Sequence, residues 1–536
     1  MPSVQSARCS SANARQCYIR TSIIAPQRSC GGPEKKQDNH ERQLVEYEAV
    51  IGLETHVQLR TRSKMFGTSS AEYQHAEPNT VVDAVSMALP GTLPVVNETA
   101  IEYAMMIGMA INCNIARVTR FDRKQYTYPD LMKGYQITQL DEPICYEGYI
   151  DLPVDPPLRV RINRVHMEED VARLIHVEGP QGGTVHSLLD INRAGTPLME
   201  VVTEPDMRTS EQVESYITSL QHIIRYLGVG TANMEEGSFR CDANVSVRPV
   251  GQTELTTKVE VKNMNRVRAV VRAIEYEIER QIAVVESGGR VIQETRGWDD
   301  GKGVTIPQRS KEEAHDYRFF PEPDIPPLFI SEEWIDSTQA KIPELPIARK
   351  NRFVDEWGLN DYDADLLTAV RSTADFFEEV CAGVVASTPN VKKAFAKEAA
   401  NWLNGEMARM MNNDEISNMA DTKVKPEALA TLVEKFRKRE LNNNSAKQVF
   451  EVMYIEGTDP ETVIKDLGLT VVSGVDSLGP IVDGVIENNE KAATDFLAGK
   501  EASLKFLMGQ VMKATRGQAD AAQATEMIRE KLASRQ

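Results

Sequence analysis

The sequence predicts an α+β chain, with helices backing a largely antiparallel sheet and a wholly helical part following it. Three observations carry this. Residues 44–330 alternate period-2 apolar runs with long helix-period runs. A Pro-rich stretch, Pro321 to Pro327, permits neither helix nor central strand and is expected to mark a boundary. Beyond it the pattern is helical almost throughout, with breaks near Asn442–Asn444 and Ser473–Gly474. At 536 residues the chain exceeds what one hydrophobic core usually supports, so several domains are expected.

The first 33 residues hold four arginines, six serines and no Asp or Glu, and a polar linker runs on to residue 43. That composition is expected of an organellar transit peptide, mitochondrial or else plastid. The ordered part opens with a strand, Tyr47 to Leu59, in which Ile51, Leu53, Val57 and Leu59 alternate with Glu54, His56 and Gln58. Residues 60–200 read as β-dominated, apart from a helix-period run at 98–112. Thr209–Leu227 is a predicted helix; Thr209 and Gln212 can form a capping box and Gly228 supplies the stop. Two strands follow. Phe239, Cys241, Ala243, Val245 and Val247 oppose Arg240, Asp242, Asn244, Ser246 and Arg248; then Val259 and Val261 oppose Lys258, Glu260 and Lys262. A further helix, Val267 to Val285, ends at Gly288-Gly289.

A net charge of −18 argues against broad, non-specific nucleic-acid binding. Residues 391–536 are nearly neutral, with 20 Lys and Arg against 22 Asp and Glu, whereas residues 34–390 carry 37 against 57. A local nucleic-acid footprint therefore meets least repulsion on the tail. No stretch approaches the roughly 18 uninterrupted apolar residues of a membrane span. Cys9, Cys17 and Cys30 lie in the leader, and Cys113, Cys145, Cys241 and Cys381 are widely spaced without a CxxC, so neither a zinc ribbon nor a redox pair is encoded. P-loop, GxSxG and kinase motifs are also missing.

Several runs could carry chemistry. Glu54 and His56 project from one strand face about 7 Å apart. His166-Met-Glu-Glu-Asp170 packs carboxylates that repel one another unless solvated or neutralised. Glu200 sits inside an apolar run, where a carboxylate is commonly buried and paired. Asp122–Asp130 interleaves bases and aromatics, a composition that can hold phosphate and stack a base. Each run alone also suits a solvated surface, and spacing does not bring them together.

Ile51-Gly-Leu-Glu-Thr-His-Val57, Phe121-Asp-Arg-Lys-Gln-Tyr-Thr-Tyr-Pro-Asp130, His166-Met-Glu-Glu-Asp170 and Asn192-Arg-Ala-Gly-Thr-Pro-Leu198 resemble the B subunit of aspartyl/glutamyl-tRNA amidotransferases. So do Met234-Glu-Glu-Gly-Ser-Phe-Arg-Cys-Asp-Ala-Asn244, Val261-Lys-Asn-Met-Asn265, Asp316-Tyr-Arg-Phe-Phe-Pro-Glu-Pro-Asp324 and Gly509-Gln-Val-Met-Lys-Ala-Thr-Arg-Gly517. The resemblance implies a glutamine synthetase-like cradle at 44–330, a helical connector at 331–390 and a tRNA-contacting helical tail at 391–536. It implies ATP- and Mg²⁺-dependent phosphorylation of the misacylated side-chain carboxylate on tRNA. Ammonia from an amidase (A) subunit then displaces the phosphate, with a small C-type subunit completing the complex. It places metal ligands at His56, Glu169 and Glu200, catalytic carboxylates at Glu54 and Glu169, and nucleotide contacts at Lys124, Lys133, Arg240 and Asn244. A tRNA-docking scaffold without chemistry is the alternative; a stand-alone ligase of the glutamine synthetase type is a third, against which the long tail argues.

Two departures matter. Some members of the family hold a zinc on cysteines where this chain reads Gly67-Thr-Ser-Ser70 and Val82-Asp-Ala-Val-Ser86, so no structural zinc is expected. Gly297 stands where a second Arg is expected in the Gln293–Asp299 run, so the resemblance does not carry a phosphate or backbone contact over to that position.

Overall fold

The period-2 runs form strands and the helix-period runs form helices in a computed structural model that describes residues 45–179, 184–310, 317–384, 387–416, 418–469, 475–498, 500–515, 519 and 521–534. The expected transit peptide lies outside the described residues. The chain divides into two units, Met1–Pro343 and Glu344–Gln536.

The first unit begins with β1 (Tyr47–Gln58), β2 (Asn114–Ile115), β3 (Val118–Thr119), β4 (Asp122–Gln125) and β5 (Tyr135–Thr138). Then come β6 (Cys145–Leu152), β7 (Leu158–Glu169), β8 (Arg173–Glu178), β9 (Thr184–Asp190) and β10 (Pro197–Thr203). The remaining strands are β11 (Phe239–Pro249), β12 (Val259–Lys262), β13 (Glu294–Asp299), β14 (Val304–Ser310), β15 (Phe320–Pro321) and β16 (Leu328–Phe329). Its helices are α1 (Glu98–Ala110), α2 (Ser210–Leu227), α3 (Val267–Glu286) and α4 (Glu332–Gln339).

Nine strands make one sheet in the order β14-β13-β12-β11-β1-β10-β7-β6-β2, antiparallel except for the parallel pair β12–β13. Alternation divides its faces. Ile51, Leu53, Val57, Val165, Met167, Val201 and Ala243 are all buried on the face that α1, α2 and α3 cover. Each buried Ile, Leu, Val or Met side chain there contributes about 1.5–3 kcal/mol. The opposite face is polar and holds the site.

α2 begins and ends as expected. The Thr209 hydroxyl accepts from the Gln212 amide, the Gln212 side chain answers the cap, and Gly228 stops the helix at φ 70°, where a Cβ would be strained.

The Pro-rich stretch is not the end of this unit. β15 pairs with β4, the Glu322 amide donates to the Phe121 carbonyl (2.8 Å), and β16 pairs with β3. Proline is tolerated there because β15 is a two-residue edge strand. α4 packs on α1, and Lys341 meets Glu102 at 2.8 Å, which carries the unit to Pro343 rather than 330. The second unit is helical in its described residues. One core gathers Phe353, Trp357, Phe377, Trp402 and Phe450; another gathers Leu478, Ile486, Leu507 and Ile528. Asn442, at an expected break, caps the helix Asn443–Glu456, while the break at 473–474 lies outside the described residues. Among the described residues no helix is long and apolar enough to cross a membrane.

Asp83 ties the two cysteine-free stretches together. Its carboxylate accepts from the Ser69 amide (2.9 Å) and hydroxyl (2.8 Å) and from the Ser86 amide (2.7 Å). Burial pushes this carboxyl up, but the serine hydrogen bonds prevail and hold it down to about 2. Asp83→Ala should lower the unfolding free energy by about 1–3 kcal/mol in urea titrations at neutral pH. Because the folded-state value is depressed, that contribution is present above the ordinary Asp value of about 4 and is lost as pH falls toward about 2. The gap between native and variant should close over that window.

Candidate functional site

Register builds the site. β1 presents Glu54, His56 and Gln58 on one face, and pairing sets Arg240 on β11 and Glu200 on β10 on either side of His56. Glu200 in turn pairs with His166 on β7. The His56 Nε2 lies 3.4 Å from Glu200 Oε2, and His166 Nε2 lies 3.1 Å from the same oxygen. Glu168, two residues along β7 and so on the same face, brings Oε1 to 3.5 Å from His166 Nε2. Thr138 Oγ1 and Gln136 Nε2, both on β5, donate to Glu168 at 2.9 and 3.2 Å.

These groups set one another's protonation. Burial disfavours the charged His166, yet the Glu200 and Glu168 carboxylates beside it raise it to about 9. Burial likewise works against ionised Glu168, but the His166 hydrogen bond and the Lys124 charge hold it down to about 2. Glu200 is buried too, and His166 and His56 keep it well below the usual carboxylate range. His56 is raised by Glu200 against the effect of its own burial. The His166 imidazolium and the two carboxylates thus hold one another in their charged forms, and the same carboxylates favour protonation of His56.

The structure brings His56 and Glu200 together as expected of a ligand set, and it puts Glu168 rather than Glu169 with them. Glu169 turns to the other side of β7, forms an ion pair with Lys133 and accepts from the Ile137 amide at 3.1 Å. The parity of Val165, His166, Met167 and Glu168 along a period-2 strand carries this distinction. His166 was not among the expected site residues, though its parity with Glu168 points to it. Glu54 accepts from Asn244 Nδ2 at 2.9 Å. Arg240 is committed to buried Asp170 at 2.6 Å, which also accepts from Gln58 at 2.7 Å. Lys124 faces the cluster, with its Nζ 4.9 Å from the Tyr317 ring centroid. At Gly297 a Cβ would meet the Gln308 amide nitrogen at 2.2 Å, so a glutamine side chain fills the space beside that position.

The donors fit a divalent cation. One ligand atom from each of His56, Glu168 and Glu200 lies within 4.8 Å of the others. Two carboxylate oxygens and one imidazole suit a hard or borderline ion, and buried His166 Nδ1 has no hydrogen-bond partner, so this imidazole is anchored through Nε2 alone.

An α+β unit thus carries this cluster on the polar face of its sheet, and a helical unit follows it in the chain. Residues 49–336 match the family described as the GatB/GatE catalytic domain, and residues 375–532 match the GatB domain. The chain is 50% identical over 493 residues to the B subunit of the aspartyl/glutamyl-tRNA(Asn/Gln) amidotransferase of Dehalococcoides mccartyi strain CBDB1, covering 91% of this chain and 99% of that one. It is 47% identical over 491 residues to the corresponding protein of Carboxydothermus hydrogenoformans, covering 91% and 100%. The chain therefore belongs to the B-subunit family of aspartyl/glutamyl-tRNA amidotransferases, a ligase family, and it carries the catalytic domain.

Calorimetric titration with Mg²⁺ or Mn²⁺ should show Glu168→Gln and Glu200→Gln weakening cation binding at least tenfold, with Glu169→Gln close to native. A ligating His56 must be neutral, so binding should release protons and tighten as pH rises above the ordinary histidine value of 6.5.

Proposed function

We propose that this chain activates the side-chain carboxylate of glutamate esterified to tRNA(Gln), using ATP and Mg²⁺, within a complex of three subunits. The observation that carries the reading is the convergence of His56, Glu168 and Glu200 inside the matched catalytic domain. A free carboxylate has no adequate leaving group, so amidation needs a phosphorylated acid. Mg²⁺ held by His56, Glu168 and Glu200 supplies charge neutralisation for the transferring phosphoryl group. Lys124 adds positive charge beside the cluster, and Arg240, held by Asp170, adds it next to His56 along the sheet. Glu54, on the same strand face as His56, is the carboxylate proposed to take the proton that attacking ammonia sheds, while Glu169, paired to Lys133 across β7, is left out of that role. The glutamine synthetase-like cradle expected from the motifs accords with a large sheet whose helices cover one face and whose polar site lies on the other.

An amidase (A) subunit supplies ammonia from glutamine, and a small C-type subunit completes the heterotrimer. The nearly neutral helical tail is the part proposed to meet tRNA. The Arg- and Ser-rich, acid-poor opening supports a mitochondrial address, where Glu-tRNA(Gln) is the proposed substrate.

The test reconstitutes the chain with both partner subunits and supplies Mg²⁺-ATP, glutamine and Glu-tRNA(Gln). Glu168→Gln should slow formation of Gln-tRNA(Gln) by about 100-fold or more, with tRNA affinity unchanged. Conversion equal to native would leave this chain a docking scaffold.

A further inference from the structure

The aromatic residues next to Lys124 are not used by the chemistry above. Tyr126 and Tyr128, just past β4, hold their rings almost parallel, with centroids 5.8 Å apart and planes at 17°. Tyr317 meets Tyr126 edge-on at 6.1 Å, and Phe319 meets Tyr317 at 6.0 Å. The backbone fixes the two segments together. The Gln125 amide donates to the Tyr317 carbonyl at 2.9 Å, and Phe320 pairs with Arg123. Arg123 is itself gripped by buried Glu322 through two hydrogen bonds of 2.7 and 2.8 Å, and it lies 4.3 Å from the Tyr135 ring centroid.

A group of rings held this firmly would normally be core. Here Tyr128 is 45% exposed, and Tyr126 and Tyr317 are half-buried. From Tyr317 the next group is Lys124, on its ring face at 4.9 Å, and Lys124 in turn stabilises ionised Glu168. On β4, Lys124 pairs with Gln136, whose amide reaches Glu168. The surface thus runs from flat rings, through one cation, to the carboxylate–imidazole cluster. That is the order of base, phosphate and cation-binding end in a nucleotide. Stacking on tyrosine faces is sequence-tolerant and needs no donor pattern, because every base presents a π-face.

We propose that Tyr126, Tyr128 and Tyr317 form a stacking platform for an adenine ring, whose phosphates pass Lys124 toward His56, Glu168 and Glu200. The inference rests on the activation reading above and adds to it the residues that hold the base. Adenosine reaches such a site from two sources in that reaction, ATP and the 3′-terminal nucleotide of tRNA. The ring–cation–carboxylate order favours ATP.

The experiment uses the reconstituted three-subunit complex with Tyr128→Ala, Tyr317→Ala and the matching Phe variants, and it measures KM for ATP and for Glu-tRNA(Gln) separately. The Ala variants should raise KM for ATP about tenfold, reduce the preference for ATP over GTP and leave KM for tRNA unchanged, while the Phe variants stay near native. A rise confined to KM for tRNA, with loss of discrimination against tRNA lacking its terminal adenosine, would keep the platform and assign it to the tRNA end. Unchanged KM values for both substrates in both Ala variants, or Phe variants as impaired as Ala, would overturn the platform. Those outcomes leave the activation reading intact so long as the native complex converts Glu-tRNA(Gln) with Mg²⁺-ATP; absence of that conversion defeats the activation reading instead.

Discussion

On the polar face of the sheet, Glu200 sits between two imidazoles, His56 at 3.4 Å and His166 at 3.1 Å, and Glu168 closes the row at 3.5 Å from His166. His166, Glu168 and Glu200 are buried, so their charges are stable only while each has its partner. Removing a single member leaves an uncompensated charge in a poorly solvated place. The row thus constrains the strand register, and the register positions everything else. β1, β10 and β7 must align so that His56, Glu200 and His166 stand abreast. A slip of one residue would swing all of them under the helices and send Val57, Val201 and Met167 into solvent.

The same charge balance prepares the site for its chemistry. With its imidazoles protonated, the row is neutral; a cation that takes His56 and the two carboxylates must displace a proton. Lys124 lies near Glu168, and Arg240 pairs across from His56, where Asp170 already engages it. The site therefore sets fixed positive charge beside the carboxylate–imidazole row rather than on a loose basic patch, which suits a chain whose overall charge is −18.

Local features were legible in the sequence because their causes are local. The Thr209–Gln212 capping box, the Gly228 stop and the alternation along β1 and β11 depend on neighbours within a few residues. The assembly of the site was not legible, because it depends on pairing between residues 56, 166 and 200 that no periodicity encodes. The family motifs mapped onto Glu169, but strand parity puts Glu168 on the face that His56 shares and Glu169 on the other. The Pro321–Pro327 stretch looked like a boundary for the same reason. Its anchor, Arg123 on Glu322, lies 199 residues back along the chain. The reading of Asp122–Asp130 as a base- and phosphate-holding run could not foresee that Tyr317 would complete the aromatic group.

The most direct measurement follows the phosphoryl group itself. The reconstituted complex would receive γ-labelled ATP, Mg²⁺ and Glu-tRNA(Gln) without any ammonia donor, and the esterified glutamate would be trapped with hydroxylamine. The account predicts label on the tRNA-bound glutamate before hydroxylamine is added, and the γ-hydroxamate with the label released as phosphate after it is added, with both lost in Glu200→Gln. Label released only as free phosphate, with no hydroxamate from the native complex, would contradict it.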